Sequence, residues 1–515
     1  MISIVPSRFA AGLFGALAFG GLAFGAAVEP HPNRGLYSIW YSSQPETLDL
    51  PYIVGGQAIK QWADLAPAPG RFDFTALDQD LAALKKRGFP TTVQINGNRK
   101  PEWLFERVPY HPQKLSHQTG DAKGTLMYWH PAHREAYRDL LRAFSEYLDS
   151  SPYRDTILGI RLNFNALGTE HTAVSESQRS LDQWIVPPGV EGAVEWSVAV
   201  GEAYRADVIQ WFVELLGGKT RVFVRNNISE VLRKPYLDLF ETGQLCWFHT
   251  SSEAQSRGND LQYTTFLEYC RTGKTLAYAE SWASAWGHHG GKTDDRFCSP
   301  PQWNYWRLLN DLHCGVSFIA VYANDLGVAI DGVYQRQAYP QYQAEFDKAF
   351  RFASRYAGYH ASPAQSPGAW AAFREGDRLK GDYDFLMKRL PDETQPAVTI
   401  GPDEQRFGAW ARILPAGASM RLKADPAFLA SLPPSGASVN VTYLDEGEGA
   451  LAVRFGVERH EIALGGSGRW KVASLPASAA ALAGGDGAET IVLEARGASV
   501  ALHMAEILRE GAPFE

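Results

Sequence analysis

Cysteine is scarce in this 515-residue chain: Cys246, Cys270, Cys298 and Cys314 are all there is, and none forms a CxxC pair. A disulfide scaffold and a cysteine zinc site are therefore excluded as the basis of the fold, although an exported chain could oxidise a pair such as Cys298 and Cys314. Positive charge is not in excess either. The 49 Lys and Arg against 57 Asp and Glu leave a net charge of -8, which repels phosphate backbones and anionic lipid, so nucleic acid is not an expected partner. No Gly-x-Ser-x-Gly elbow and no His-Glu-x-x-His occurs, and the Gly-Lys-Thr triplets at Gly218, Gly273 and Gly291 lack the upstream glycine of a phosphate loop. His288 and His289 are adjacent but bring no third ligand with them, so neither a metal nor an organic cofactor is expected. What the chain does have in quantity is aromatic residues, 12% of the total with 15 Trp, a load that suits a lined binding cleft as well as a core.

Long apolar runs are confined to the beginning of the chain. Arg8 precedes an apolar run from Phe9 to Phe24, with small residues at Gly25, Ala26 and Ala27. This pattern predicts a secretory signal peptide over residues 1–27, because the run is shorter than the roughly 20 residues needed to span a bilayer. The mature chain is expected to be periplasmic or secreted and free of the membrane.

A shift in composition divides the rest. The last 120 residues hold two of the 15 Trp and two of the 13 His, and Pro391 to Pro396 interrupts the pattern just before them. The reading is a domain over residues 28–395 followed by a smaller one over 396–515. Eight short apolar stretches lie in the first: Leu36 to Tyr41, Tyr52 to Gln57, Thr91 to Asn96, Ile157 to Asn165, Arg221 to Asn226, Gln244 to His249, Thr275 to Glu280 and Val316 to Tyr322. Helical patterns separate most of them, at Phe74 to Lys86, His133 to Leu148, Val194 to Leu216, Leu261 to Arg271, Trp303 to Leu312 and Tyr342 to Tyr356. Eight such units predict an α/β fold, a (β/α)8 TIM barrel. An open doubly wound sheet is the competing architecture, but Ser42, Ser43 and Gln44 after the first strand supply no glycine-rich turn. From Met420 onward, short β-like runs divided by Gly-rich turns predict an antiparallel β-sandwich, which could bind carbohydrate or simply pack against the barrel; with few aromatics available, packing is the favoured reading.

In a barrel, functional groups gather at the carboxyl ends of the strands. The first strand ends at Trp40 and the third at Gln94 and Asn96. The fourth ends at Asn163 and Asn165, followed by Glu170 and His171, and the fifth at Asn226. His249 closes the sixth, Glu280 closes the seventh with Trp282 and Trp286 just beyond, and Asn324 follows the eighth. Two glutamates facing each other across a barrel mouth suit glycoside hydrolysis, in which one carboxyl protonates the leaving oxygen and the other attacks or supports the anomeric carbon. The Asn, Gln and His groups would bind sugar hydroxyls, and the Trp faces would stack on pyranose rings.

A family resemblance rests on two segments. Trp62, Ala63, Asp64 and Leu65, then Pro67, Pro69, Gly70, Phe72, Asp73 and Phe74, followed by Leu77 and Leu81, resembles the stretch after strand two in β-galactosidase-like glycosidases. Gln94 with Pro101, Trp103 and Leu104 is similar to the same enzymes after strand three. The resemblance covers roughly residues 35–390 and implies the retaining clan A of glycoside hydrolases, with Glu170 as acid/base and Glu280 as nucleophile. That clan usually carries Asn immediately before the acid/base, where this chain has Thr169; Asn163 or Asn165 could take over the substrate 2-hydroxyl. The expectation is an exported retaining hydrolase of β-linked, galactoside-like oligo- or polysaccharides. The alternative is a secreted carbohydrate-binding protein on a degenerate barrel that has lost one catalytic glutamate.

Overall fold

The computed structural model describes residues 28–225, 228–250, 269–270, 273–281, 283–288, 299–374, 381–392, 394–397, 405–484, 489–511 and 513. The expected leader, Asn226, Trp282, His289, Cys298 and most of the helix expected from Leu261 to Arg271 lie outside the described residues, as does the side chain of His288. No described helix is long and apolar enough to cross a membrane.

Eight parallel strands close on themselves: β1 Gly35–Ile39, β2 Ile53–Gln61, β3 Thr91–Asn96, β4 Ile157–Arg161, β5 Arg221–Arg225, β6 Leu245–Thr250, β7 Ala277–Glu280 and β8 Phe318–Tyr322, with β8 paired back to β1. This is the barrel the strand spacing predicts. Successive side chains on a strand point to opposite sides of the wall. Tyr37, Ile39, Phe223, Cys246, Phe248, Tyr278, Phe318 and Ala320 accordingly pack together inside the barrel as one buried cluster. Two glycines make room for its largest rings. A Cβ at Gly55 would sit 2.3 Å from the Tyr37 ring, and one at Gly159 would sit 2.5 Å from the Phe223 ring.

The longer described helices outside the wall are α1 Thr75–Lys86, α2 Pro131–Ser150, α3 Val198–Leu216, α4 Leu237–Thr242, α5 Pro300–His313, α6 Ala323–Asp331 and α7 Pro340–Tyr356. Their ends follow local chemistry. His130 accepts from the Ala132 N–H ahead of α2, which has Pro131 at its first position, and Ser197 accepts from the Val200 N–H ahead of α3. In α2, Tyr137, Leu140, Leu141, Phe144 and Leu148 recur at helical spacing and are buried against the wall.

One expected strand proves shorter. The alternating run Ile157 to Asn165 leaves the ladder at Arg161, apart from the Leu162 N–H donating to Phe223 O at 2.9 Å. The chain then turns back on itself, with Asn165 at φ 50 and hydrogen bonds from Asn165 N to Thr169 O and from Leu167 N to His171 O, both at 3.0 Å. Asparagine tolerates that left-handed backbone better than most residues.

The antiparallel sandwich follows as expected, but its sheets take up strands from upstream of residue 396. Among the described residues, one sheet joins Gly368–Ala372 and Tyr383–Phe385 to Val500–Leu508, Ala411–Leu414, Gln395–Ala397, Ala437–Asp445 and Arg469–Ala477. The other orders Met387–Arg389, Ser419–Ala424, Ile491–Arg496, Glu448–Phe455 and Glu458–Gly465. The Pro-rich interruption near residue 395 thus lies inside the sandwich, with Gln395–Ala397 itself a strand, because Gly368 to Ala372 already pairs along Met504 to Leu508. Against the barrel this module covers α5, nearly all of which is buried. Trp306 donates its indole N–H to Gly408 O at 2.8 Å and meets the Trp410 ring edge-on, with centroids 4.8 Å apart. Tyr305 Oη lies 3.0 Å from His503 Nε2. Cys246, Cys270 and Cys314 carry free, buried thiols.

Burial pushes His503 down to about 3, helped by the charge of Arg406. The unfolded chain takes up a proton near the ordinary value of about 6.5 while the folded one does not, so stability is full above that pH and is lost as pH falls toward the folded value. His503→Leu should therefore show a shallower fall in Tm between pH 6.5 and 4 than the wild type. Thermal denaturation over that range checks it, and parallel slopes would mean His503 does not link the interface to pH. His249, lowered to about 4 by burial, keeps some slope in the variant.

Candidate active site

The strand alternation that fills the barrel with aromatic rings also delivers a polar cluster at its carboxyl end. On β7, Tyr278 and Glu280 are two residues apart and face inward together. On β4 the inward positions are Gly159 and Arg161, while β2 contributes Gln57. Glu280 Oε2 accepts from Tyr278 Oη at 3.1 Å, from Arg161 Nη1 at 3.3 Å and from Gln57 Nε2 at 3.4 Å. Gln57 Nε2 also donates to Tyr278 Oη at 2.6 Å.

Glu170 reaches the same guanidinium from the loop after β4. Its Oε1 accepts from Arg161 Nη2 at 2.9 Å, and its Oε2 stands 3.3 Å from Arg225 Nη1 on β5. The loop is pinned from behind. Gln118 Oε1 accepts from the backbone N–H groups of Thr169 at 3.1 Å and Glu170 at 2.9 Å, and Thr169 Oγ1 donates to Asn98 Oδ1 at 2.6 Å. Close approach requires two glycines here, since a Cβ at Gly168 would lie 2.3 Å from Gln118 and one at Gly97 would lie 2.7 Å from Asn165.

The two glutamates expected from strand ends four and seven thus meet on one arginine, with Arg161 7% and each carboxylate 8% exposed. Burial disfavours the Arg161 cation, but the charges of Glu280 and Glu170 outweigh it and raise the guanidinium above its ordinary value. Burial and the Glu280 charge together push Tyr278 well up, so it stays a phenol and a donor to Glu280. Arg161 also lies with its Cζ 3.9 Å from the centroid of Phe248.

The remaining expected residues divide between the mouth and the wall. Trp40, at the end of β1, is 44% exposed and held at φ 57, a left-handed backbone that is unusual for a bulky side chain. Asn324 is half-buried in the first turn of α6. His171 Nδ1 lies 2.5 Å from Ser116 Oγ, and its ring meets His117 edge-on. Gln94, Asn96, Asn163 and Asn165 form a network along β3 and the loop after β4. Gln94 Nε2 donates to Asn96 Oδ1 at 2.6 Å, Asn163 Nδ2 donates to Ile95 O and Asn96 Oδ1, and Asn165 Nδ2 donates to Ile95 O. Asn163 and Asn165 are fully buried. Trp286 has its face covered by Tyr334, with centroids 4.0 Å apart. His249 points away from the barrel interior, because Cys246 and Phe248 take the inward positions of β6; its Nε2 lies 3.3 Å from Asn310 Nδ2 on α5. Asp325 accepts from the Ala285 N–H at 3.0 Å, and burial pushes its carboxyl up to about 7.

Sequence reasoning missed Arg161, Arg225, Tyr278 and Gln57. The signal for Arg161 was present: in Ile-Leu-Gly-Ile-Arg-Leu-Asn-Phe-Asn, Gly159, Arg161, Asn163 and Asn165 share one side of an otherwise apolar strand. Tyr278 shares its side of β7 with Glu280 by the same rule.

The stretch after β2 that carries the resemblance proves to be framework. Trp62 is fully buried, Asp64 accepts from the Gln61 N–H and pairs with Arg99 at 3.0 Å, and Asp73 Oδ1 accepts from the Thr75 N–H at the start of α1. Trp103 Nε1 donates to Ala66 O at 2.9 Å.

Residues 56–158 match the glycoside hydrolase family 42 model, described as β-galactosidase, a span that runs from β2 into β4 and ends before both glutamates. No curated protein matches the chain. Among solved structures, similarity extends to the cold-adapted β-galactosidase of Rahnella sp. R3, at 11% identity and TM-score 0.38 over 64% of this chain and 58% of that one. It extends also to the β-galactosidase of Marinomonas ef1, at 10% identity and TM-score 0.34 over 56% of this chain and 53% of that one. A xylanase of Cellvibrio japonicus is similar at 7% identity and TM-score 0.34, over 62% of this chain and 98% of that one. This chain therefore spans less than two thirds of either β-galactosidase. The β-galactosidase sequence pattern lies on the β2 to β4 part of a closed (β/α)8 barrel, as the resemblance implied.

Proposed function

We propose that the protein is an exported retaining glycoside hydrolase acting on β-linked, galactoside-like oligo- or polysaccharides. The observation that carries this reading is the meeting of Glu170 and Glu280 at the carboxyl end of the barrel, both bound to Arg161. The family 42 match over residues 56–158 supports the substrate class. In this reading Glu280 is the nucleophile. Tyr278, Gln57 and Arg161 converge on one of its oxygens and fix the carboxylate's orientation, and the other oxygen receives no protein hydrogen bond among the described residues. Glu170 is the acid/base, delivered by a loop that Gln118 and Asn98 hold rigid. Trp40, exposed beside the mouth, supplies an apolar face for a pyranose ring. The chemistry needs no metal or organic cofactor: proton transfer and covalent catalysis by two carboxyls suffice.

Glu280→Gln should leave folding and sugar binding intact and reduce kcat to below roughly 1% of wild type, because the nucleophile loses its charge with little change in volume. Assays on a panel of aryl glycosides decide this, and retention of more than a few per cent of activity would remove Glu280 from the role.

Glu170→Ala should slow substrates with poor leaving groups far more than activated aryl glycosides, and azide should restore turnover of the activated ones. Equal losses on both substrate types would make Glu170 a structural carboxylate. The proton spectrum of the first-formed sugar, taken before mutarotation, should show the anomeric configuration retained. An inverted anomer would reject the covalent mechanism, since inversion requires the two carboxyls to stand far enough apart to admit a water.

A further inference from the structure

We infer that Arg161 is a positioning residue that serves both carboxylates in turn, following the negative charge as it moves between them during a catalytic cycle. This rests on the reading of Glu280 as nucleophile and Glu170 as acid/base. The geometry behind it is a division of labour within one guanidinium. Nη1 faces Glu280 Oε2 at 3.3 Å and Nη2 faces Glu170 Oε1 at 2.9 Å, while the Phe248 ring lies against the group at 3.9 Å. A guanidinium is planar, permanently charged and unable to give up its proton in a protein, so its charge stays fixed between the two acids.

A double displacement moves one unit of negative charge from one side of this group to the other. In the first step a Glu280 oxygen bonds to the anomeric carbon, the glycosidic C–O bond breaks with its electron pair going to the leaving oxygen, and Glu170 gives that oxygen its proton. Glu280 is then a neutral ester and Glu170 an anion. In the second step a water oxygen bonds to the anomeric carbon as one of its protons passes to Glu170, and the ester C–O bond breaks with its pair returning to Glu280. Each resting stage thus contains one carboxylate charge, and Arg161 contacts its holder at both stages. The other partners do not. Tyr278 and Gln57 reach Glu280, and Arg225 reaches Glu170. A cation that touched only the nucleophile would lose its partner when the ester forms, whereas Arg161 exchanges one partner for the other without moving.

The test compares Arg161→Met and Arg161→Lys with wild type, each first shown by circular dichroism and Tm to be folded. With an activated aryl glycoside, rapid-mixing kinetics separate formation of the glycosyl-enzyme from its hydrolysis. Arg161→Met should slow both steps by at least about tenfold, and Arg161→Lys, which keeps the charge but loses the two-armed donor, should recover part of each. Both limbs of the kcat/KM profile should move to higher pH in Arg161→Met, because a fixed positive charge has been removed from beside two acids that still face Arg225, His171, Tyr137, Tyr278 and Tyr322. Loss of formation alone, with hydrolysis and the pH limbs unchanged, would overturn the proposal and leave Arg161 as a partner of Glu280 only. A readout independent of turnover comes from stability cycles pairing Arg161→Met with Glu170→Gln and with Glu280→Gln. Non-additive changes in both cycles support the shared contact, and additivity in either one defeats it. If no sugar is turned over while both cycles couple, the functional reading fails and the bridge stands; if sugars are turned over and a cycle is additive, the reverse holds.

Discussion

Three charged side chains at the top of the barrel, Arg161, Glu170 and Glu280, are each less than a tenth exposed and bind one another directly. Charges taken out of water cost several kcal/mol apiece unless paired with good geometry. Much of the surrounding structure acts to provide that geometry. Arg225 adds a second cation at Glu170, while Tyr278 and Gln57 supply neutral donors to Glu280. Removing Arg161 would leave the buried Glu280 with neutral donors only, which is why this cluster constrains what is packed around it.

The support extends outward in layers. Phe248 and the other rings inside the barrel form a rigid floor under the guanidinium, and they fit because Gly55 and Gly159 face them. The Glu170 loop hangs from Gln118 and Asn98, whose own segment is drawn close by the absence of a side chain at Gly97 and Gly168. On the opposite side of the wall, α5 sets Asn310 against His249 of β6 and Arg307 against Ala320 O of β8, and the sandwich covers α5 in turn through Trp410 and His503. The sandwich therefore acts on the site through packing: it keeps water from the far side of a helix that carries buried polar groups.

How legible this was in the sequence follows from which signals are local. All eight barrel strands, and the helices now seen as α1, α2, α3, α5 and α7, were readable because apolar runs of strand length alternate with helical periodicity, and that pattern needs no tertiary knowledge; α4 and α6 were not foreseen, and the helix expected from Leu261 to Arg271 lies mostly outside the described residues. Glu280 was readable for the same reason, as the last residue of β7, and Glu170 as a carboxylate on the loop that follows β4. Direction within a strand was less so. His249 closes a strand as Glu280 does, yet it faces α5, because the aromatic Phe248 takes the inward position next to it. Asn163 and Asn165 were expected as substrate ligands, but both lie beyond the end of β4 at Arg161, and their amide nitrogens donate to Ile95 O on β3. Arg161 is the charged residue of a strand whose other side chains, Ile157, Leu158 and Ile160, are all apolar. The upstream limit of the sandwich was not local at all, since Gly368 to Ala372 gains its partner from more than 130 residues further on.

Trp40 bears on what the cluster is for. A bulky residue in left-handed backbone costs on the order of 1 to 3 kcal/mol, and such strain persists only where the surroundings enforce it. Here the strain follows the last residue of β1, and a short turn at Tyr41–Ser43 begins immediately after. Hydrophobic burial cannot be what offsets it, because nearly half of the residue's surface remains in water. Trp286, by contrast, is held in relaxed stacking against Tyr334 and Phe346 and contributes its area to the core. The strain holds an indole out of the core at the same end of the barrel as two carboxylates bridged by an arginine, which leaves a flat apolar surface open to solvent there. A sugar ring, apolar on its faces and polar at its edge, is the kind of ligand that uses both.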